Sequence, residues 1–95
     1  MNRLVLAATL LERGVLRYTP AGLPALDLVL KHESTVTENG QPRKVLMELR
    51  AVAIGSVTEG VKVLALGDPA TFGGFLAAAR NGRGIVFHVT EVCPG

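Results

Sequence analysis

Few residues in this 95-residue chain are suited to catalysis: two histidines, His32 and His88, and one cysteine, Cys93. His32 is followed directly by Glu33 and Ser34, a set that resembles an acid–base group. Neighbouring residues on a strand point to opposite faces, so these three side chains cannot converge on one atom. The sequence also contains no Gly-x-Ser-x-Gly motif, no phosphate-binding loop and no cluster with metal-ligand spacing. We therefore expect no enzyme and no cofactor or metal.

Neutralising phosphate groups is the other chemistry that the residues could perform. The chain has 10 basic and 8 acidic residues, a net charge of only +2, so the position of the charges matters more than their sum. Six basic residues fall in predicted loops or at predicted strand ends: Arg13, Arg17, Arg43, Lys44, Arg80 and Arg83. Acidic residues are nearly absent from those segments, and Glu38 is the exception. Basic loops on a nearly neutral body fit a polyanionic ligand, although they would also serve to keep loops soluble.

The composition predicts one folded domain over residues 1–95. Hydrophobic residues make up 48% of the chain and charged residues 19%, the balance of a globular protein. A single cysteine excludes an intrachain disulfide, which suits a reducing cytoplasm. No stretch reaches the roughly 20 apolar residues of a membrane span. We expect a cytoplasmic protein without a membrane partner.

Apolar alternation and turn residues divide the chain into five predicted strands. These are Asn2–Glu12, Ala25–Glu33, Arg43–Ile54, Ala70–Ala79 and Gly84–Val92. Two prolines and two glycines in residues 13–24 predict a loop without regular structure. A polar connection over residues 34–42 is centred on Asn39-Gly40, and Asn81-Gly82 predicts a second hairpin.

Side-chain faces follow from the alternation within each strand. In the second strand Leu26, Leu28 and Leu30 share one face. In the third strand the inward set is Val45, Met47, Leu49 and Ala51, and the outward set is Lys44, Leu46, Glu48 and Arg50. Gly73-Gly74 in the fourth strand predicts a bulge or bend. Phe72, with at least one of Phe75 and Phe87, is expected in the core.

A short helix is predicted between the third and fourth strands. Ser56 and Glu59 have the spacing of a capping box, with Ser56 as the N-cap. One helical face would carry Val57, Val61 and Leu64, and Gly67 would end the helix. Gly60 in its interior costs about 1 kcal/mol, so the helix should be weakly stable on its own.

Five strands with a helix between the third and fourth predict an all-β OB-fold, a five-stranded Greek-key barrel. A simple five-stranded meander is the alternative, and the position of the helix favours the barrel. Such barrels bind oligonucleotides across strands two and three, between the first-to-second and fourth-to-fifth loops. The residues of this chain that fall there are Arg13, Arg17, Tyr18, Arg43, Lys44, Arg50, Arg80 and Arg83.

Stacking of bases on aromatic rings is expected to contribute little. Aromatic residues are only 4% of the chain, there is no tryptophan, and the outward position where strand three could carry a stacking ring is Leu46. Tyr18, His32 or Phe75 could supply a stacking plane. Binding should therefore depend on charge and weaken steeply with salt.

Several segments, in order along the chain, resemble the PriB family of replication restart proteins. They include residues 2–6 (NRLVL), 16–24 (LRYTPAGLP), 30–34 (LKHES), 74–76 (GFL) and 86–92 (VFHVTEV). Residues 51–76 are also similar to bacterial single-stranded DNA-binding protein (SSB), a related family. The loop with Thr19-Pro20 and Gly22-Leu23-Pro24 favours PriB.

The resemblance implies a homodimer of OB folds that binds single-stranded DNA at stalled forks. It also implies a partnership with the PriA helicase and other primosome proteins in replication restart. Family contacts to DNA would fall on Arg17, Arg43, Lys44 and Arg80. The chain departs from the family pattern at Leu46, which replaces an aromatic residue, at Glu33, and in a short last hairpin over residues 79–84.

Two other hypotheses remain at this point. The barrel could be a protein-interaction module that recruits a helicase and has little DNA affinity of its own. An enzyme would need turnover that depends on His32 or His88. A titration with single-stranded oligonucleotides separates the first alternative from a DNA-binding protein.

Overall fold

A computed structural model describes residues 1–95, which form six strands and one short helix. The strands are β1 (Leu4–Arg13), β2 (Arg17–Tyr18), β3 (Pro24–Glu38), β4 (Gln41–Ile54), β5 (Pro69–Ala78) and β6 (Ile85–Pro94), and the helix is α1 (Thr58–Lys62). With five residues, α1 is far too short to cross a bilayer, and the fold has no other helix.

Strand β1 closes the sheet into a barrel by pairing on two sides. Its first half pairs antiparallel with β5, and residues 9–13 pair antiparallel with β3, with a bulge between Leu10 and Glu12. A parallel pairing of β4 with β6, from Ala51 opposite Phe87 to Ala53 opposite Val89, joins the two halves. A meander lacks such a parallel contact, so the predicted OB-fold barrel is confirmed.

The core is built from the inward side chains of the strands. Leu26, Leu28 and Leu30 are buried on one face of β3, as the alternation predicts. Phe72 and Phe87 are fully buried, whereas Phe75 lies outside the core. The predicted irregularity at Gly73-Gly74 is a register shift in the β5–β6 pairing. A Cβ at Gly74 would overlap the carbonyl oxygen of His88, so the close approach of β6 requires glycine there.

The prediction of a polar connection over residues 34–42 is wrong, because all of these residues except Asn39 and Gly40 lie in strands β3 and β4. Strands β3 and β4 pair without interruption from Ala25 opposite Ile54 to Glu38 opposite Gln41. Only Asn39 and Gly40 form the turn, both with positive φ (51° and 75°), as a type I′ hairpin requires. Polar and β-branched residues such as Thr35 and Thr37 suit a hairpin that is exposed on both faces. This hairpin helps give the molecule its long dimension of 48 Å.

The prediction that residues 13–24 lack regular structure is also wrong at one point. Strand β2 pairs Arg17 with Ala25 and Tyr18 with Pro24. A tight turn returns the chain, with the Thr19 amide donating to the Leu23 carbonyl at 2.8 Å. Proline is tolerated here because it occupies the first position of β3, where no amide donor is needed.

Helix α1 is shorter than predicted, and the capping box is absent. Val57 occupies the N-cap position and makes no side-chain cap, while Thr58 Oγ1 donates to the Gly55 carbonyl at 2.7 Å. The predicted inward residues Val61 and Leu64 are buried. Gly60, which costs helix stability, lets α1 lie against β6, since a Cβ there would come within 2.7 Å of Val92 Cγ1.

Candidate nucleic-acid interface

A groove of about 1180 Å³ crosses the outer face of β3, β4 and β6. It is bounded on one side by the β1–β3 connection, which contains β2, and on the other by the β5–β6 hairpin. Outward residues of the three strands line it: Val29, Arg50, Val52, Val86 and His88. The groove therefore occupies the position that the OB fold predicts for an oligonucleotide.

Five of the predicted arginines line this groove; Arg13 is described below, and the other four come from three elements. Arg17 comes from β2, Arg50 from β4, and Arg80 and Arg83 from the β5–β6 hairpin. None of Arg50, Arg80 and Arg83 has an acidic partner within ion-pair distance. The groove is thus lined by five arginines and by two acidic residues, Glu12 and Asp27, an excess of positive charge that a net charge of +2 for the chain does not reveal.

Arg17 shares the groove with an acidic partner. Its Nε and Nη2 each donate to an oxygen of the Asp27 carboxylate at 3.1 Å, a bidentate pair. These hydrogen bonds, and the negative charge of Asp27, raise the pKa of Arg17. Arg17 therefore lies at the groove edge with part of its charge already compensated by Asp27.

Arg13, a predicted DNA contact, also lines the groove, and its guanidinium is engaged within the protein. Its Nη1 donates to the carbonyl oxygens of Leu64 (2.6 Å) and Val61 (3.3 Å), at the end of α1. Carbonyls at a helix end lack intrahelical partners, and a cationic side chain is well suited to satisfy them. Nothing in the sequence pairs residue 13 with residues nearly 50 positions later.

Arg43 and Lys44 lie outside the groove, near the tip of the β3–β4 hairpin. Lys44 shares a hairpin face with Arg50, six residues or about 20 Å along the strand, and it pairs with Glu33 at 3.2 Å. Arg43 points to the opposite face and pairs with Glu38 at 3.2 Å. Neither residue lines the groove with Arg17 and Arg80: Arg43 faces the other side of the hairpin, and Lys44 lies beyond the end of the groove on the Arg50 face.

Tyr18 is also separated from the groove. It follows Arg17 in β2, so its side chain, which is 66% exposed, points away from the arginine face. Leu46 is exposed on the Lys44 face, as the alternation predicts. The Tyr18 ring does not line the groove, and Leu46 has no ring to offer.

The histidines differ in their surroundings. The His32 ring contacts the Ala7 carbonyl through Nδ1 (2.6 Å) and Ser34 Oγ through Nε2 (2.8 Å), which ties β3 to β1. His88, which sequence reasoning treated as an ordinary strand residue, lines the groove and stacks on Phe75. The contact between His88 and Phe75 depends on which residues of β5 and β6 lie opposite each other, and the sequence alone does not specify that register.

Comparison with known families gives a match over nearly the entire chain. Residues 2–91 match a family model described as "Another single-strand binding protein family". Replication restart protein PriB of Bordetella pertussis is 50% identical over 81 residues, covering 85% of this chain and 76% of that protein. PriB of Neisseria gonorrhoeae is 48% identical over 77 residues, covering 80% of this chain and 76% of that protein.

Solved structures agree with the sequence comparison. PriB of Ralstonia solanacearum superposes with a TM-score of 0.89 at 35% identity, covering 99% of this chain and 97% of that one. The single-stranded DNA-binding protein of Thermus aquaticus, in a deletion mutant, superposes with a TM-score of 0.76 at 28% identity. That match covers all of this chain and 50% of the Thermus chain.

Proposed function

Because this chain belongs to the PriB family, which is related to the SSB proteins, we propose that it binds single-stranded DNA in replication restart. The observation that carries the proposal is the convergence of Arg17, Arg50, Arg80 and Arg83 on one groove of an OB barrel. Guanidinium groups neutralise phosphates and release counterions, which supplies affinity without sequence selection. Binding requires no catalysis and no cofactor.

The proposed path of the strand runs between the β5–β6 hairpin and β2, over the outer face of β4. Lys44 extends this path on the same hairpin face as Arg50. Because Lys44 is paired with Glu33, we expect it to attract phosphate less strongly than an unpaired cation would. Tyr18 and Arg43 are not part of the path, because their side chains are directed to other faces. Arg13 lines the groove, but its Nη1 is used by the Val61 and Leu64 carbonyls, so we expect it to contribute little.

The biological setting is proposed from the family. The replication restart name of the relatives favours a cytoplasmic primosome component that works with the PriA helicase at stalled forks. We also propose a homodimer. Residues 4–8 of β1 pair with β5 on one edge only, since pairing with β3 begins at Thr9. On the other edge the Ala7 carbonyl is engaged by His32, and the part of the edge beside the exposed Val5 is a surface that a second copy could cover.

Fluorescence polarisation with labelled oligonucleotides tests the DNA-binding role. A single-stranded oligonucleotide should bind, and a duplex of the same length should compete weakly, because the groove fits one backbone between two loops. Affinity should fall as salt rises. Equal affinity for the duplex, or no measurable affinity for the single strand at low salt, would refute the proposal.

A protein-interaction module is the second candidate, favoured by the projecting β3–β4 hairpin. Its cations near the tip are paired with Glu38 and Glu33, so this region is nearly neutral, and Leu46 exposes 61% of its surface there. Binding of PriA with negligible affinity for oligonucleotides in the same titration would favour this candidate.

A further inference from the structure

We propose that His88, supported by Phe75, is the surface on which a nucleotide base stacks in the groove. This inference rests on the proposed DNA-binding function and identifies how the groove contacts bases rather than phosphates. The two rings belong to directly paired residues of β5 and β6. Their centroids are 4.8 Å apart and their planes differ by 8°, so they form a parallel stack.

The stack lies in a row of outward residues that crosses the barrel. Phe75 is opposite His88, His88 is opposite Val52, and Val52 is opposite Asp27. One face of the His88 ring is covered by Phe75. The row continues on the groove side with Val52, a short side chain that is 7% exposed. Val52 is therefore part of the groove floor, whereas His88, which also lines the groove, is only half-buried, so its ring is the part of this row that a flat group entering the groove can reach.

The neighbouring cations fit this position. Arg50 precedes Val52 by two residues on the same face of β4, about 7 Å along the strand. Asp27, at the end of the row, holds the Arg17 guanidinium. A base above Val52 would thus have phosphate-binding groups on two sides, as single-strand binding requires.

Burial also separates this ring pair from ordinary core packing. Phe72 and Phe87 are fully buried, whereas Phe75 is 38% exposed. No hydrogen bond engages either nitrogen of the His88 ring. Because Leu46 leaves the hairpin face without an aromatic ring, His88 provides the π surface that the groove otherwise lacks. His88 makes the stacking contact, and Phe75 is a positioning residue.

Two kinds of variant test the proposal with a labelled thymidine oligonucleotide. His88→Leu should weaken binding roughly tenfold, since stacking of one base is lost, and His88→Phe should bind within about twofold of wild type. Phe75→Leu should cause a smaller loss. Unchanged affinity in His88→Leu, or a His88→Phe variant as weak as His88→Leu, would overturn the stacking role. If the wild type itself does not bind, the proposed function fails instead.

A local readout covers the case in which His88→Leu does not fold. The chain has no tryptophan, so His88→Trp introduces a single reporter. Its fluorescence should be quenched when the oligonucleotide binds. Val63→Trp, at a position that is 78% exposed and outside the groove, is the control and should not be quenched. Binding without quenching at position 88 contradicts the proposal.

Discussion

Two acidic residues, Glu12 and Asp27, line the groove, and Asp27 is the one that is paired with a groove arginine. Its carboxylate accepts two hydrogen bonds from Arg17 and is itself 64% exposed. A phosphate approaching Arg17 must therefore compete with a carboxylate that is already in place. An exposed ion pair contributes little stability, so its main consequence here is electrostatic.

Asp27→Asn should tighten binding of single-stranded DNA several-fold. The substitution removes one negative charge and leaves an amide oxygen that can still orient Arg17. Polarisation titrations at low salt measure the effect. Glu59→Gln, on α1 and outside the groove, changes the net charge equally and is the matched control. An equal gain in affinity in both variants would show that only net charge matters and would contradict the local effect of Asp27 on Arg17.

The sequence predicts that Arg17, Arg50, Arg80 and Arg83 lie beside the groove, as they do, while their contact with DNA stays a prediction; it does not predict which residues share a face across strands. Arg17, Arg50, Arg80 and Arg83 were predicted because turn residues and alternation place them on loops and on an outward face. Alternation alone also shows that Arg43 and Lys44 diverge, as Arg17 and Tyr18 do. The stack of His88 on Phe75 depends on cross-strand register and on the bulge at residues 73–74, which no local pattern specifies.

At the scale of elements, Arg13 fixes α1 to the barrel beside the groove. Arg13→Ala would leave the Val61 and Leu64 carbonyls without this partner, and it should lower the free energy of unfolding by about 1–3 kcal/mol. Chemical denaturation followed by circular dichroism measures the loss.

DNA affinity separates this structural role from a direct contact. At a temperature where the Arg13→Ala variant is folded, its affinity for single strands should fall much less than that of Arg50→Ala. An Arg13→Ala variant with wild-type stability and a large loss of affinity would instead identify Arg13 as a DNA contact.

The strand order was predictable, and the lengths of β3 and β4 were not. Asn39-Gly40 was identified as a turn because both residues adopt positive φ readily. The flanking polar residues resemble a loop in sequence, since a hairpin exposed on both faces needs no apolar alternation. The capping box failed for a related reason: Thr58, rather than Ser56, makes the hydrogen bond that shapes the start of α1.

At the scale of the whole molecule, the free edge of β1 predicts self-association. The 10.0-kDa chain should have twice that mass by light scattering after gel filtration. Val5→Glu places a charge at the proposed contact and should yield a monomer. Val63→Glu, at an exposed position directly after α1, is the control and should still dimerise. A monomeric wild type, or a Val5→Glu variant that still dimerises, contradicts the proposed interface.

Charge is arranged unevenly over the molecule although its sum is small. Most cations without acidic partners line the groove, Lys31 being the exception, while those near the hairpin tip are paired with glutamates. This arrangement predicts that a few arginines account for most of the salt dependence of DNA binding.

The salt dependence of single-strand affinity, compared between wild type and Arg50→Gln, is the most direct test of a cationic groove. The logarithm of affinity should fall linearly with the logarithm of salt concentration, and the slope should be smaller by about 0.7 in Arg50→Gln, as expected for one lost phosphate contact. Arg3→Gln, which removes an arginine paired with Glu91 outside the groove, should keep the wild-type slope. Identical slopes in all three proteins would mean that the DNA backbone does not pass through the groove.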